Sequence, residues 1–333
     1  MQSAQAKQVK VTSRGRLHMG FFDLHGGLGR KYGGIGLSLS APAQTLTVSL
    51  DDSWHADHES NARALVIAQQ LMAKLNIEGA LKLAVDHGLP EHAGLGSGTQ
   101  LALSVGAAIS HLFELNLSTQ EIAVLSGRGA RSGIGIAAFD HGGLLIDGGR
   151  RLKSASSTKV DSPPPLLARY DFPEAWRILL VLDNRQAGVH GEHELAAFDQ
   201  LPPFPESLAA HLCRQVLMQA MPALLEQDLT AFGQAIQVLQ SSVGDYFAPA
   251  QGGRYANAEV AAVLQYLAAQ GVACFGQSSW GPTGFAVFAD AASAEAYLAQ
   301  LKTKFSKSGL SWLICSGYNR GAQLSLAGNV GGI

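Results

Sequence analysis

The sequence predicts a two-domain α+β protein. The chain has 333 residues, which is too long for one small core and fits two domains of ordinary size. Hydrophobic residues make up 47% of it, as in globular proteins. The second half reads as strand, helices, strand, strand, helix, strand, the order of a sheet with helices on one face. A polar, then proline-rich segment at 152–166 places the boundary, so we predict domains at 1–165 and 166–333.

Periodicity predicts the elements of the first domain. Alternating polar and apolar residues indicate half-buried strands, and apolar residues three or four apart indicate helices. These patterns give strands at 8–13, 44–50, 80–86 and within 142–149, and helices at 61–75 and 99–115. Ser118 and Glu121 fit a capping box, which predicts the start of a further helix.

The same patterns predict the second domain. A continuous apolar run at 177–183 indicates a buried strand, and a glycine turn within 271–290 separates two more strands. The remaining predictions are helices at 206–225, 228–242, 255–269 and 291–305 and a last strand at 310–315.

Composition excludes several classes of function. The formal net charge is -2, which gives no electrostatic basis for binding nucleic acid. The sequence contains no apolar stretch of membrane-spanning length, and its N-terminus lacks the apolar core of a secretory signal. Three widely spaced cysteines, Cys213, Cys274 and Cys315, indicate reduced thiols and therefore a cytoplasmic protein.

A glycine-rich loop, LPEHAGLGSGTQ at 89–100, directly precedes a predicted helix. Glycines allow a sharp turn and close approach of a ligand, and the helix start offers unpaired N–H groups. The pattern therefore predicts a phosphate or pyrophosphate cradle, although a glycine turn that merely packs is the alternative. Neither a Walker loop nor a Rossmann fingerprint is present. The predicted substrate-binding residues are Gly94, Leu95, Gly96, Ser97, Gly98 and Thr99.

Pro90 and this loop resemble the phosphate loop of the GHMP kinase superfamily. Two further segments agree in order and spacing, RGRLHMG at 14–20 and GQSSWGPTG at 276–284. The resemblance implies a GHMP-kinase-like fold, with an N-terminal ribosomal-protein-like domain, a C-terminal ferredoxin-like domain and the phosphate site between them.

Two departures weaken the kinase interpretation without removing it. Kinases of this superfamily usually carry a second serine after Gly-Leu-Gly-Ser, where this chain has Gly98. Many also carry a catalytic aspartate after a Ser-Gly pair. Aligned on Ser132 and Gly133, that position is Gly135. Loss of a general base typically costs about 10² to 10⁴ in rate.

Four segments, at 16–27, 33–39, 131–143 and 187–198, together resemble the β-ribofuranosylaminobenzene 5'-phosphate synthase family. That resemblance implies a decarboxylating phosphoribosyltransferase of tetrahydromethanopterin biosynthesis. It would join phosphoribosyl pyrophosphate to 4-hydroxybenzoate or 4-aminobenzoate and release CO2 and pyrophosphate. The resemblance also implies a homodimer and no requirement for ATP. We expect Mg²⁺, because pyrophosphate leaves more readily when its charge is balanced.

Candidate catalytic residues follow from position. Arg16 and His18 lie two apart on a predicted strand and so share a face, which we assign to the cleft. Asp23 could hold Mg²⁺ or the ribose hydroxyls, and Glu192 could contact the metal or substrate. A satisfied structural histidine is the plain alternative for His18.

Further candidates are the substrate-binding pairs Arg30–Lys31 and Ser278–Ser279. The first pair could clamp pyrophosphate, because arginine forks onto phosphate well, and the second could donate hydrogen bonds from the other domain. A solvated basic pair and a simple hairpin turn are the respective alternatives. An ATP-dependent small-molecule kinase and a non-catalytic sensor of the same fold remain alternative functions.

Overall fold

A computed structural model describes residues 8–56, 61–152, 162–183, 185, 201–279 and 281–327. Its strands are β1 (Gln8–Asp23), β2 (Arg30–Lys31), β3 (Gly33–Asp51), β4 (His55–Ala56), β5 (Ala80–Asp86), β6 (Leu144–Asp147), β7 (Arg150–Arg151), β8 (Leu166–Tyr170), β9 (Arg177–Leu182), β10 (Cys274–Gln277), β11 (Gly284–Phe288), β12 (Ser311–Cys315) and β13 (Gln323–Ala327). Its helices are α1 (Ala62–Lys74), α2 (Ser97–Leu112), α3 (Thr119–Leu125), α4 (Ile134–Asp140), α5 (Glu206–Gln215), α6 (Met221–Leu225), α7 (Leu229–Gln251), α8 (Ala258–Ala269) and α9 (Ala291–Lys304). A π-helical turn at Val216–Ala220 joins α5 to α6.

The first sheet has seven strands and runs β13-β1-β3-β5-β4, with β6 beside the first part of β3 and β8 beside β6. The predicted strands at 8–13 and 44–50 are parts of the much longer β1 and β3. The first part of β3 was not predicted, because its glycines interrupt the alternation of polar and apolar residues. At Gly36 a Cβ would lie 2.3 Å from Cγ2 of Ile134, so α4 packs directly on the backbone of the strand there. The pattern also missed β8, β13 and α4.

Strands from beyond residue 165 complete this sheet. Leu166–Tyr170 pairs with β6, and Gln323–Ala327 pairs with β1. The first sheet therefore takes strands from both sides of the predicted domain boundary. The central part of the segment at 152–166 lies outside the described residues.

The second sheet runs β10-β11-β9-β12 and is antiparallel throughout. With its strands numbered by sequence this order is 2-3-1-4, the order of a ferredoxin-like sheet. Helices α8 and α9 pack on one face, where Leu179, Val181, Val260, Leu264 and Leu301 form a buried cluster. The strands and helices predicted beyond residue 165 are confirmed, with two differences: a π-helical turn interrupts the helix predicted at 206–225, and α7 continues to Gln251 instead of ending at 242.

The other face of this sheet shares a core with the first sheet. Leu17 and Ile35 of the first sheet, Ile178 and Leu180 of β9, and Leu239 of α7 all belong to one buried cluster. The part of β1 from Arg16 to Gly20, which carries the candidate residues Arg16 and His18, therefore lies where the two halves meet.

Local predictions agree with the structure at two further places. The capping box is confirmed, since Ser118 accepts from the Glu121 amide while the Glu121 carboxylate accepts from the Ser118 amide. The three cysteines form no disulfide, and Cys274 and Cys315 are buried. None of the helices in the part of the chain that the structure describes could cross a membrane.

Candidate active site

The glycine loop is held against both halves of the molecule. Gly94 and Gly96 have φ of +80° and +82°, in the left-handed region that favours glycine. A Cβ at Gly94 would lie 2.4 Å from the carbonyl oxygen of Ser278 and 2.9 Å from Cα of Gly281. Glycine is required here because the loop touches the β10–β11 turn backbone to backbone. Gly96 directly precedes α2, so the loop presents the start of a 16-residue helix.

Arg16 supports the loop from β1. Its backbone amide donates to the carbonyl of Leu95, and its Nη1 donates to the carbonyl of Gly94. A Cβ at Gly96 would lie 3.3 Å from Nε and Cζ of Arg16. Burial lowers the pKa of this guanidinium to about 10, so it stays charged at neutral pH. Its Nε is buried and has no hydrogen-bond partner within the described chain, which leaves a donor for an anion.

His18 and the two predicted serines join the halves beside the loop. The His18 amide donates to Ser278 Oγ at 3.1 Å, and that hydroxyl donates to the Gly94 carbonyl at 2.8 Å. The Ser279 amide donates to the His18 carbonyl at 3.0 Å. The structure thus brings together Arg16, His18, the loop, Ser278 and Ser279, which the sequence singled out separately.

The His18 ring is held in a neutral state. His18 is only 3% exposed. Burial is the main reason that the pKa of its ring is lowered to about 3, and the charge of Arg16 is the second. Arg131 acts in the same direction. Nε2 of His18 is buried without a hydrogen-bond partner in the regions that the structure describes. A neutral imidazole with one unused nitrogen can make a directed hydrogen bond to a bound ligand.

A cleft between β1 and α7 opens at this ring. The space in it that a water-sized sphere can enter is only about 40 Å³. Phe21 meets His18 edge to face, with centroids 4.5 Å apart. The lining combines apolar side chains with polar groups, namely His18, Phe21, Val243, Phe247, Arg254, Gln277 and Ser279 among others. Such a lining could contact an aromatic ring and its polar substituents once the surrounding side chains move apart to admit them.

Asp147 is the buried acid that sequence reasoning missed. One carboxylate oxygen accepts from the amides of Gly34 (3.3 Å) and Gly149 (2.9 Å). The other accepts from Ser132 Oγ (2.9 Å) and the Gly133 amide (2.8 Å). Burial raises its pKa to about 6, against the effect of these hydrogen bonds. A charged residue inside the apolar strand LLID was the available signal, because such a residue needs partners when buried.

Asp147 lies close to His18 but is fully engaged. A Cβ at Gly34 would lie 3.1 Å from Nε2 of His18 and 3.6 Å from Oδ2 of Asp147, so a larger residue there would press on the His18 ring. With four donors on its two oxygens, Asp147 organises the strand end and the start of α4. Both of its oxygens accept from protein donors, which leaves no free acceptor position for a substrate proton.

The position aligned with the kinase base is packed rather than merely vacant. A Cβ at Gly135 would lie 3.1 Å from Cγ2 of Thr99, which occupies the adjoining space. The Gly135 carbonyl accepts from Nε2 of Gln100 at 2.8 Å. The first turn of α2 therefore contacts the first turn of α4 at Gly135, the position aligned with the catalytic aspartate of the kinases.

Three predicted residues lie at the far end of β1 from the loop. Oδ1 of Asp23 accepts from the amides of His25 and Gly26. The Arg30 fork donates to the carbonyls of Gly148 and Gly149 at 2.7 and 2.6 Å. Lys31 lies over the Tyr32 ring at 5.5 Å. Glu192 lies outside the described residues.

These contacts bear on the expected Mg²⁺. No three His, Cys, Asp or Glu side chains converge as a metal site within the described part of the chain. Asp23 has Oδ2 left for a cation, since its two amide donors both reach Oδ1. Mg²⁺ commonly binds through one or two carboxylates together with substrate phosphates. Asp23 lies seven residues along β1 from Arg16, about 20 Å at the rise of a strand, so it does not reach phosphates held by the glycine loop.

The fold and the glycine loop define a protein of the GHMP kinase class. Residues 62–143 match the GHMP kinases N terminal domain, and residues 220–307 match the GHMP kinases C terminal domain. A homoserine kinase from Cytophaga hutchinsonii superposes with a TM-score of 0.66 at 15% identity, covering 98% of this chain and 99% of that one. Mevalonate diphosphate decarboxylase from Staphylococcus aureus gives 0.67 at 14%, covering 96% and 98%. These likenesses confirm the predicted fold.

Within this class the chain belongs to the β-ribofuranosylphenol 5'-phosphate synthase family. The protein of that name from Archaeoglobus fulgidus is 36% identical over 285 residues, which is 84% of this chain and 87% of the relative. The one from Methanothermobacter thermautotrophicus is 32% identical over 71% of this chain and 76% of its own length. A homoserine kinase from Methanococcus maripaludis is more distant, at 29% over 57% of this chain and 62% of its own length.

Proposed function

We propose that this protein transfers a phosphoribosyl group from phosphoribosyl pyrophosphate to 4-hydroxybenzoate, with release of CO2 and pyrophosphate and without ATP. Family membership supports the reaction class. The name of the relatives specifies a phenol product, which supports the hydroxy acid over the amino acid. The protein would act in tetrahydromethanopterin biosynthesis.

One observation carries this proposal over the kinase alternative. Thr99 fills the space beside Gly135, and the nearby Asp147 already accepts four hydrogen bonds. The described site therefore offers an anion cradle without a carboxylate poised to deprotonate an alcohol. Such a site suits a reaction in which an anionic group leaves and no protein base is needed.

The chemistry requires charge stabilisation and alignment. The bond between ribose C1 and the diphosphate oxygen breaks, and its electron pair leaves with the diphosphate. The sugar becomes oxocarbenium-like, as in glycoside cleavage. The ring carbon that bears the carboxylate supplies the electron pair for the new C–C bond. The bond to the carboxylate then breaks, and its pair restores the aromatic ring as CO2 departs.

The residues of the site have matching tasks. Arg16 and the start of α2 stabilise the developing negative charge of the leaving group. The cleft beside Phe21 and Phe247 holds the aromatic ring, where Nε2 of His18 can hydrogen-bond a substituent. The bound aromatic acid would displace water from this open cleft, water that would otherwise hydrolyse the sugar cation. Mg²⁺ would supply further charge balance to the leaving diphosphate when bound.

Two further expectations belong to the same proposal. We propose that the enzyme works as a homodimer, as the family resemblance implies. We also propose a cytoplasmic setting, because its three cysteines are unpaired thiols and such thiols persist in reducing compartments.

The test is a product assay with the purified protein. It is incubated with Mg²⁺, phosphoribosyl pyrophosphate and either 4-hydroxybenzoate or 4-aminobenzoate, and the ribosylated product is identified by mass spectrometry. We expect a phenol riboside phosphate, formed faster than its amino counterpart. Consumption of ATP with an alcohol, and no riboside from either acid, would favour the kinase. No product under any condition would favour a sensor.

A further inference from the structure

Two arginines that the sequence did not single out converge on Gly98, in the first turn of α2. A Cβ at this position would lie 2.6 Å from Nη2 of Arg63 and 3.4 Å from Nη1 of Arg128. Arg63 extends from the first turn of α1, and Arg128 follows the end of α3. Elements from three separate parts of the sequence thus place two guanidinium groups where a side chain at residue 98 would stand.

The charges around this helix start are not balanced by the described protein. Arg63 pairs with Glu91 at 3.0 Å, whereas Nε of Arg128 is buried without a partner in the described part of the chain. Burial, and then the charge of Arg63, lower the pKa of Arg128. With Arg16 beneath Gly96, three guanidinium groups and one carboxylate surround the positive end of a helix dipole. Like charges this close repel, so a bound anion would stabilise the arrangement.

The extent of the cationic region indicates which anion it suits. Arg16 contacts the loop at Gly94 and Gly96, while Arg63 and Arg128 lie at Gly98. The donors are spread along the loop and the first turn of the helix rather than focused on one point. A diphosphate has two linked anionic groups and carries more charge than a monophosphate, so it can use both sets of donors at once.

We propose that Arg63 and Arg128 bind the diphosphate group of the sugar donor, together with Arg16 and the glycine loop. This inference rests on the proposed function and specifies which phosphate of the donor the loop holds. When the C1–O bond breaks, both electrons go to the diphosphate oxygen, and the added negative charge is stabilised by these guanidinium groups. Their task is to bind and stabilise the leaving group, and they transfer no proton.

The same geometry explains the missing side chain at residue 98. The backbone of Gly98 is not in the left-handed region, so the helix itself would accept alanine there. What an added Cβ would meet is the end of a flexible arginine, which would have to move. We therefore read Gly98 as the residue that leaves room for Arg63 and Arg128.

Binding of inorganic pyrophosphate, measured by calorimetry on the full-length protein, tests the proposal without relying on turnover. The variants are Arg63→Gln, Arg128→Gln and Gly98→Ala, and the last keeps both arginines while displacing them. Arg214→Gln removes the same charge from an exposed position on α5 and is the matched control. Thermal melting of every variant verifies that it is folded.

Loss of a charge-assisted hydrogen bond should weaken pyrophosphate binding about 10- to 100-fold in each arginine variant. We expect a smaller loss in Gly98→Ala and no change in Arg214→Gln. In turnover assays the KM for the donor should rise while the KM for the aromatic acid does not. Arg63→Lys and Arg128→Lys should recover part of the affinity.

Unchanged pyrophosphate affinity in either Arg63→Gln or Arg128→Gln would overturn the proposal. So would ribose 5-phosphate displacing pyrophosphate from this site with equal affinity, because the loop would then hold the other phosphate of the donor. Failure of the proposed function has a different signature. The unmodified protein would then form no riboside phosphate, whatever its variants bind.

Discussion

Replacement of His18 by glutamine tests the buried neutral imidazole next to the glycine loop. The pKa of His18 falls from its usual 6.5 to about 3 in the native state, chiefly through burial. Below pH 6.5 the unfolded chain takes up a proton on this ring, whereas the native protein does not. Native stability should therefore fall as the pH falls through this range. Glutamine does not titrate, so His18→Gln lacks this loss.

The magnitude follows from the pKa difference. One pKa unit corresponds to about 1.4 kcal/mol, so His18 should cost the native protein about 3 kcal/mol between pH 6.5 and 4.5. The total would approach roughly 5 kcal/mol at pH 3. The substitution also changes stability by an amount that does not depend on pH, because glutamine packs differently. The informative quantity is the pH dependence of the difference between the two proteins.

Urea unfolding at pH 7.5, 6.5, 5.5 and 4.5 measures this difference. The stability of His18→Gln relative to the unmodified protein should rise by about 3 kcal/mol from the neutral to the acid end of the series. His111→Gln, which removes an exposed imidazole from α2, is the matched control. Curves for His18→Gln and the unmodified protein that stay parallel across the series would refute the neutral, buried imidazole.

Two other substitutions probe neighbouring parts of the site. The pKa of Asp147 is raised to about 6 from a usual 3.8, so the native protein holds this proton more tightly than the unfolded chain does. The resulting stability is present below pH 4, and about 3 kcal/mol of it should be lost as the pH rises to 6. Asp147→Asn should abolish that loss in an unfolding series extended down to about pH 3.5, and an unchanged slope would contradict the assignment. Gly96→Ala forces alanine to φ of +82° against the Arg16 guanidinium. It should cost roughly 1–2 kcal/mol of stability and raise the donor KM, and an unaltered KM would show that the loop is only a turn.

Sequence reasoning succeeded where the signal is local. The glycine loop, the capping box at Ser118 and most helices follow from spacing within a few residues, and the structure has them, whereas α4 was not predicted. Arg16 and His18 were found because a strand repeats every two residues. The first part of β3 was missed because glycines carry no hydrophobic pattern. One of them, Gly36, leaves room for Ile134 of α4.

The rest of the site depends on contacts between distant segments. Nothing in the sequence places Arg63 and Arg128 beside Gly98, since they follow from how α1 and α3 pack around α2. Asp147 is equally non-local, because its donors come from Gly34, Ser132 and Gly133. We predicted that the Arg30 guanidinium is free to bind pyrophosphate, whereas in the structure it donates hydrogen bonds to two backbone carbonyl groups. Its role as a pyrophosphate clamp stays a prediction, as does that of Lys31.

The most direct measurement follows the carboxyl carbon of the aromatic acid. Carboxyl-labelled 4-hydroxybenzoate is incubated with phosphoribosyl pyrophosphate, Mg²⁺ and enzyme from which all nucleotide has been removed, and labelled CO2 and pyrophosphate are counted together. If the loop holds a departing diphosphate, the two products should appear in equal amounts, and added ATP should not increase them. Labelled CO2 that forms only when ATP is present, or with no matching pyrophosphate, would contradict the account.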